Sequence, residues 1–227
     1  MEHDITITII LRASSPFINS LRASSSSGAT KTAIQPAWKD SFLLTQYIKD
    51  DLEENDDREV AERYNTLSPS YDELYGQEQS PKHKAIIEFI ADQRFKLLVD
   101  VGCGPGTFLE SAQELYEYAI GIDLSMSMLK AAKRRRTGKT DLVQATSRLL
   151  PIKNRSVNCL VSISTLRADP SLRASTGEMK RICRKKAVLA VSLFHHPEND
   201  VPRLLAGTEH SSRISGRETV HFLRLSG

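Results

Sequence analysis

The segment from Leu97 to Thr107 constrains the fold more than any other part of the chain. A short apolar run that contains Asp100 leads directly into glycines at positions 102, 104 and 106, and the residues from Phe108 to Tyr116 can form a helix. Strand, glycine turn and helix in that order are typical of the first unit of a nucleotide-binding α/β sheet. Glycine suits such a turn because a residue without Cβ lets the backbone turn sharply and approach a ligand closely.

The spacing of the glycines separates two classes of cofactor. A dinucleotide fingerprint needs a third glycine where this chain has Thr107. The actual pattern, Asp100-x-Gly102-x-Gly104-x-Gly106, resembles motif I of the class I S-adenosylmethionine-dependent methyltransferases. That resemblance implies an α/β Rossmann-like sheet with helices on both faces, and S-adenosylmethionine as the cofactor.

The resemblance also implies the residues that would bind the cofactor. In this family an acid at the end of the second strand accepts hydrogen bonds from the ribose hydroxyls, and Asp123 holds that position, although NAD enzymes carry an acid there too. The acid that usually meets the adenine amino group aligns with Thr146, whose hydroxyl accepts a hydrogen bond without charge. The predicted cofactor-binding residues are Asp100, Gly102, Gly104, Gly106, Asp123 and Thr146.

The similarity extends over about residues 60–195. The segment from Arg63 to Tyr75 resembles the tyrosine-bearing segment of small-molecule methyltransferases, including those that methylate quinones at carbon. Tyr64 and Tyr71 are therefore expected to cover the active site, although ordinary helix packing would explain them as well. A helix is predicted from Lys82 to Asp92, with isoleucine and phenylalanine on its apolar side.

The C-terminal part departs from the family pattern. A complete class I sheet needs two more strands and a helix after Leu193, but only Thr219 to Leu225 resembles a strand. The sheet is therefore expected to be incomplete at its C-terminal end.

The composition predicts one folded domain with an N-terminal extension. A chain of 227 residues with 40% hydrophobic content can bury one good core; we assign residues 56–227 to a methyltransferase-like domain. Residues 1–55 are serine-rich, and from Ile5 to Lys39 they contain no acid. We expect either a disordered tail or a leader such as an organellar transit peptide. The corresponding locations are the cytoplasm or an organelle.

The catalytic group is harder to predict than the cofactor site. Methyl transfer depends mainly on positioning, so this fold needs no fixed catalytic residue. His195 and His196 follow the predicted fifth strand and are weak candidates for a general base, with a surface histidine pair as the alternative. The three cysteines lack the spacing of metal ligands, and no metal is expected. The sequence also lacks an apolar run of about 18 residues, the length that spans a membrane.

A basic cluster leaves the nature of the substrate open. The cluster contains Lys130, Lys133, Arg134, Arg135, Arg136 and Lys139. It could contact nucleic acid, but a solvated helix end explains it better, since cations there complement the helix dipole and no aromatic residue lies between them. The favoured hypothesis is methyl transfer to oxygen or carbon of a small molecule. The alternatives are an RNA or protein methyltransferase and a methyltransferase-like scaffold without turnover.

Overall fold

A computed structural model describes residues 54–166, 171–194, 203, 205 and 210–226. The strands are β1 (Phe95–Val101), β2 (Tyr116–Asp123), β3 (Thr140–Gln144), β4 (Val157–Ser162), β5 (Cys183–Phe194), β6 (His210–Ser215) and β7 (Glu218–Arg224). The helices are α1 (Glu54–Leu67), α2 (Tyr71–Ile90), α3 (Thr107–Ser111), α4 (Met126–Arg135) and α5 (Ser171–Ile182), with a short 3₁₀ turn at Ser68–Ser70 between α1 and α2.

The strands form a single seven-stranded sheet in the order β3-β2-β1-β4-β5-β7-β6. Strands β1 to β5 are parallel to one another, whereas β7 is antiparallel to both β5 and β6. It follows that β6 runs in the same direction as β1 to β5 and that β7 alone is reversed. This topology confirms the predicted Rossmann-like α/β fold.

The C-terminal end of the sheet is more complete than the sequence predicts. Two strands follow β5, where one strand and a truncated sheet were expected. The missed strand, β6, has the sequence HSSRIS and forms the sheet edge beside β7. Residues Ser211 to Arg213 are exposed, so this strand lacks the apolar pattern by which buried strands are recognised. The prediction of an incomplete sheet was therefore wrong at this edge.

Two hydrophobic clusters cover opposite faces of the sheet. Along β4, Leu160 belongs to one cluster while its neighbours Cys159 and Val161 belong to the other, as the alternation of side chains in a strand requires. Met179 of α5 lies in the first cluster, and Ile86 of α2 lies in the second. Helices therefore pack on both faces, which confirms the predicted layers.

Two predicted helices have different bounds in the structure. The helix after the glycine turn spans only Thr107–Ser111, and Tyr116 instead begins β2, where its buried hydroxyl donates to the Leu109 carbonyl at 2.9 Å. The predicted Lys82–Asp92 helix is the second half of α2, which continues through Pro81. Proline removes one backbone hydrogen bond, but the helix is held beyond it by a buried face that includes Ile86 and Ile90.

Candidate active site

A cavity of about 600 Å³ opens at the carboxyl ends of the parallel strands. Its wall includes Gly102 and Gly104 after β1, Asp123 at the end of β2 and Ser164 after β4. Ligands bind at this edge in open α/β sheets, and the volume lies within the usual range for small-molecule sites. The position agrees with the glycine turn as the floor of a binding site.

The three glycines of the turn have different surroundings, although all have positive φ angles. A Cβ on Gly102 would lie 1.9 Å from Thr165 Oγ1, and one on Gly106 would lie 3.1 Å from the Ala132 Cβ. A Cβ on Gly104 would meet nothing within 4 Å. Gly102 and Gly106 therefore permit close packing, whereas Gly104 leaves open space at the cavity wall.

The Asp123 carboxylate is fixed by the main chain. Its Oδ2 accepts a hydrogen bond from the Gly104 N–H, and its Oδ1 accepts one from the Ser125 N–H, both at 2.8 Å. Burial raises the pKa of this carboxyl group, and the backbone hydrogen bonds oppose that rise. Because Asp123 also lines the cavity, its remaining lone pairs can accept hydrogen bonds from a ligand.

Asp100 lies behind the glycine turn. Its side chain is 2% exposed, and burial together with the nearby Asp123 charge raises its pKa to about 8. Asp100 and Gly106 are absent from the described cavity wall, which includes Gly102, Gly104, Asp123 and Thr146. The structure thus brings four of the six predicted cofactor residues to the cavity and places the other two behind it.

Thr146 lies in the loop after β3 and faces the same cavity. The residue is buried, and its Oγ1 accepts a hydrogen bond from the Arg148 N–H at 3.4 Å. It therefore lies where the sequence alignment expects the group that meets the adenine edge, with a neutral hydroxyl instead of a carboxylate.

Helices α1 and α2 cover the cavity. Tyr64, Tyr71 and Tyr75 all line it, and the Tyr71 ring lies 6.5 Å from that of Tyr64 and 5.0 Å from that of Tyr75, between centroids. Burial, followed by the charges of neighbouring acidic groups, raises the pKa of Tyr71, so its hydroxyl is protonated at neutral pH. Tyr64 and Tyr71 thus line the cavity, and their role as a cover of the active site stays a prediction.

A side chain of α1 anchors this helix to the start of α4, beside Asp123. Asn65 Oδ1 accepts hydrogen bonds from the Ser125 hydroxyl at 2.7 Å and from the Ser127 N–H at 3.0 Å. Ser125 caps helix α4 by accepting from the Met128 N–H. Since the Ser125 N–H also donates to Asp123, a single residue joins the cover, helix α4 and the cavity wall.

A buried polar cluster at the other end of the cavity was missed by the sequence analysis. The side chains of Lys82 and Glu218 are fully buried, and Lys82 Nζ lies 2.7 Å from Glu218 Oε1. Lys82 also donates to Glu78 and to Ser164. A signal was present, since Lys82 precedes Ile86 by four positions and thus shares the apolar face of α2.

Two other predicted features do not enter the described site. His195 and His196 lie outside the residues that the structure describes. Arg135 of the basic cluster forms an ion pair with Asp72 and donates to the Pro105 carbonyl at 3.1 Å, so it clamps α4 to neighbouring segments. Among the described helices, none has the length and apolar character that crossing a membrane requires.

Comparisons with known proteins agree with this geometry. Residues 99–205 match the family described as a methyltransferase domain. An uncharacterized protein of Methanocaldococcus jannaschii is 30% identical over 133 residues, which cover 57% of this chain and 49% of that protein. A demethylmenaquinone methyltransferase of Renibacterium salmoninarum is 25% identical over 143 residues, which cover 61% of this chain and 60% of the enzyme. The chain thus spans only about half to three fifths of these two relatives.

A solved structure shows the same fold. The N-methyltransferase NodS of Bradyrhizobium japonicum, in complex with S-adenosylhomocysteine, has a TM-score of 0.62 at 12% identity, over 76% of this chain and 100% of NodS. The domain match over residues 99–205 and the enzyme relative support a relation to the class I S-adenosylmethionine-dependent methyltransferases, a family whose cofactor is S-adenosylmethionine.

Proposed function

We propose that this protein is an S-adenosylmethionine-dependent methyltransferase that methylates a small molecule at oxygen or carbon. The observation that carries the proposal is the junction between β1 and β2. There the open face of Gly104 and the Asp123 carboxylate border one cavity, and a hydrogen bond from the Gly104 N–H to Asp123 joins them.

The residues present fit this cofactor. The space at Gly104, which a Cβ would fill, lets the main chain approach the ligand. Asp123 would accept hydrogen bonds from the ribose hydroxyls, and Thr146 would meet the adenine edge. When bound, S-adenosylmethionine supplies a methyl group on a positively charged sulfur. The Asp123 carboxylate suits a cationic ligand, because burial weakens the screening of its charge.

The chain's own contribution to the reaction is positioning and the exclusion of water. The glycine turn is fixed by packing against Thr165 and Ala132, so the cofactor end is preformed. Tyr64, Tyr71 and Tyr75 line the cavity on the side of α1 and α2, where they would shield the reacting groups from water. Holding two reactants in line can supply a large part of a rate enhancement. The assignment of His195 or His196 as a proton acceptor stays a prediction.

The size and the cover of the cavity support a small molecule as the methyl acceptor. A volume of about 600 Å³ under two helices accommodates compact ligands. RNA or protein would need an open approach to the methyl group. The buried thiols of Cys103, Cys159 and Cys183 support the proposed cytoplasmic location, where cysteines stay reduced. We keep residue 56 as the proposed start of the domain, because cavity-lining residues begin at Asp57.

Calorimetric titration with S-adenosylmethionine and S-adenosylhomocysteine tests the cofactor site. We expect Asp123→Ala to weaken both affinities at least about tenfold, because charge-assisted hydrogen bonds to the ribose would be lost. Asp92→Ala is the matched control, since Asp92 is exposed after α2 and away from the cavity wall. A folded wild-type chain that binds neither ligand would contradict the proposed function and favour a scaffold without turnover.

A further inference from the structure

The cavity has a second end, at β4, β5 and β7, that the cofactor residues do not occupy. Because β7 is reversed, its first residue, Glu218, pairs with Phe194 at the end of β5. Glu218 therefore reaches the edge at which the parallel strands end. Glu78, Gln79, Ser164 and Glu218 all line the cavity here.

This end is joined directly to the glycine turn. Thr165 packs against the bare Cα of Gly102 and donates to the Val101 carbonyl at 3.1 Å. Ser162 Oγ donates to the same carbonyl at 3.0 Å. Ser164 lies between these two residues, so its position is fixed relative to the cofactor end. A group bound beside Ser164 would therefore be held at a fixed position relative to the methyl donor.

Ser164 is itself held from several sides. Its backbone has φ +57°, an uncommon conformation for a residue other than glycine, and its N–H donates to Ser192 Oγ at 2.9 Å. Its hydroxyl accepts from Lys82 at 2.9 Å and donates to Glu218 at 2.7 Å. The positive φ and the converging bonds indicate that the surrounding structure fixes this hydroxyl in place.

The single ammonium group of this cluster has no donor left for a ligand. A lysine has three N–H donors, and those of Lys82 go to Glu78 Oε1 at 3.1 Å, Ser164 Oγ at 2.9 Å and Glu218 Oε1 at 2.7 Å. The cluster contains two carboxylates and one ammonium, so it carries a net negative charge. An anionic ligand would therefore meet repulsion within this cluster. The arginines of the cavity wall, Arg63 and Arg148, belong instead to α1 and to the loop after β3.

Hydrogen-bond acceptors, in contrast, remain open on the wall. Glu78 uses one carboxylate oxygen for Lys82, and its other oxygen has no partner among the described residues. Gln79 is 8% exposed and donates from Nε2 to Ser164 at 3.2 Å. Its carbonyl oxygen lies 3.4 Å from the Ser164 hydroxyl, whose proton goes to the nearer Glu218. These two cavity-lining residues thus each retain an acceptor oxygen without a strong donor among the described residues.

We propose that the cluster of Glu78, Gln79, Lys82, Ser164 and Glu218 binds the methyl acceptor and selects an uncharged molecule that presents a hydroxyl group. The hydroxyl donates to the open oxygens of Glu78 and Gln79, and acceptors that carry a carboxylate are excluded. These are positioning residues that decide specificity. The inference rests on the proposed methyltransferase function, and it narrows the class of small molecule.

The test uses two ring probes of similar shape that differ in charge. The full chain is first saturated with S-adenosylhomocysteine and then titrated at neutral pH with para-hydroxybenzyl alcohol or with para-hydroxybenzoate. We expect the alcohol to bind at least about tenfold more tightly than the carboxylate. The reason is that the carboxylate makes one unfavourable charge contact with the cluster in a partly buried site.

A matched pair of variants on α2 assigns the effect to the cluster. Glu78→Gln keeps the shape and the acceptor for Lys82 but removes the excess negative charge, so the two affinities should converge. Glu88→Gln is the control: its carboxylate is similarly exposed, at 51% against 45% for Glu78, and pairs with Arg213 away from the cavity wall. It should leave the ratio of affinities unchanged.

The outcomes separate this inference from the proposed function. Failure of the wild-type chain to bind S-adenosylhomocysteine counts against the methyltransferase function itself. If the cofactor product binds normally, any of three results overturns only the acceptor assignment. These are carboxylate binding as tight as that of the alcohol, an unchanged ratio in Glu78→Gln, and a loaded protein that binds neither probe.

Discussion

The two ends of the cavity differ in whether main-chain or side-chain atoms form the wall. At the cofactor end the main chain forms the wall: glycines turn below the ligand space, and backbone N–H groups of Gly104 and Ser125 hold Asp123. At the other end, which we call the acceptor end after the proposal above, the wall includes the side chains of Glu78, Gln79, Ser164 and Glu218. Lys82 forms a buried ion pair with Glu218 there. The first end depends on backbone conformation, whereas the second depends on charges that must remain paired.

This difference explains how mutations should act at each end. A backbone wall tolerates changes except where a side chain would occupy space or force a strained φ angle. A buried ion pair tolerates the loss of both charges better than the loss of one, because a single buried charge keeps its full desolvation penalty.

Removing one charge at the acceptor end should have the largest effect on stability. Lys82→Met leaves the Glu218 carboxylate buried beside Ser192 and Ser164 without a cation, so the free energy of unfolding should fall by about 3–5 kcal/mol. Urea denaturation measures this change. The double variant Lys82→Met/Glu218→Leu should recover most of the loss, and a double variant as unstable as the single one would contradict the pairing argument.

Alanine substitutions in the glycine turn should separate packing from ligand binding. Gly102→Ala combines φ +79° with overlap on Thr165 and should lower the free energy of unfolding by about 3 kcal/mol. Gly104→Ala has φ +52° and open space, so about 1 kcal/mol of strain is expected. Its methyl group should instead weaken S-adenosylhomocysteine binding, measured by calorimetry.

The hairpin turn between β6 and β7 supplies the control for Gly104. Gly216 also has a positive φ, +60°, and open space around its Cα. Gly216→Ala should therefore show a similar small loss of stability with unchanged ligand affinity. Equal effects of both substitutions on affinity would mean that Gly104 does not face the ligand.

The pH dependence of stability should depend on Asp100, the buried acid behind the turn. Asp100 has a pKa of about 8 in the folded chain against an ordinary value of 3.8, so between these values the folded state holds a proton that the unfolded state has lost. Stability must then fall as pH rises through this window, with Asp100 contributing up to about 1.4 kcal/mol per pH unit. In Asp100→Asn the slope should flatten in urea denaturation across this range. An unchanged slope would show that Asp100 ionises normally.

The same contrast between the two ends decides what the sequence could predict. The cofactor end joins residues that are close in sequence, since Gly104 and Asp123 are 19 positions apart and each ends or follows an apolar strand. The acceptor end joins Lys82 to Glu218 over 136 positions, through the reversal of β7. Only the folded sheet brings such residues together, because no local pattern records that reversal.

The fold itself was predictable where strands are buried on both faces, as β1 and β4 are. It was not predictable at β6, where an exposed edge strand has the composition of a loop. Helix lengths could not be predicted either. Helix α3 ends at Ser111 because Tyr116 pairs with Phe95 in the sheet, and this pairing is a tertiary contact. The hydrophobic pattern therefore predicted the central strands of the sheet but not its edge strand or the helix ends.

The way in which helices α1 and α2 are attached has a consequence for how ligands enter and leave the cavity. Helix α2 is fastened by an ion pair whose side chains are fully buried. Helix α1 is held at Asn65 by neutral hydrogen bonds, each contributing about 1 kcal/mol, and at Asp57 by an ion pair with Arg148 that is only partly buried. A local opening costs least where its fastenings are weakest. We therefore expect α1 to swing away first, with the Ser68–Ser70 turn as the hinge. S-adenosylhomocysteine would then leave the cavity past α1. The opposite wall, around Lys82 and Glu218, would stay assembled for the next molecule of methyl acceptor.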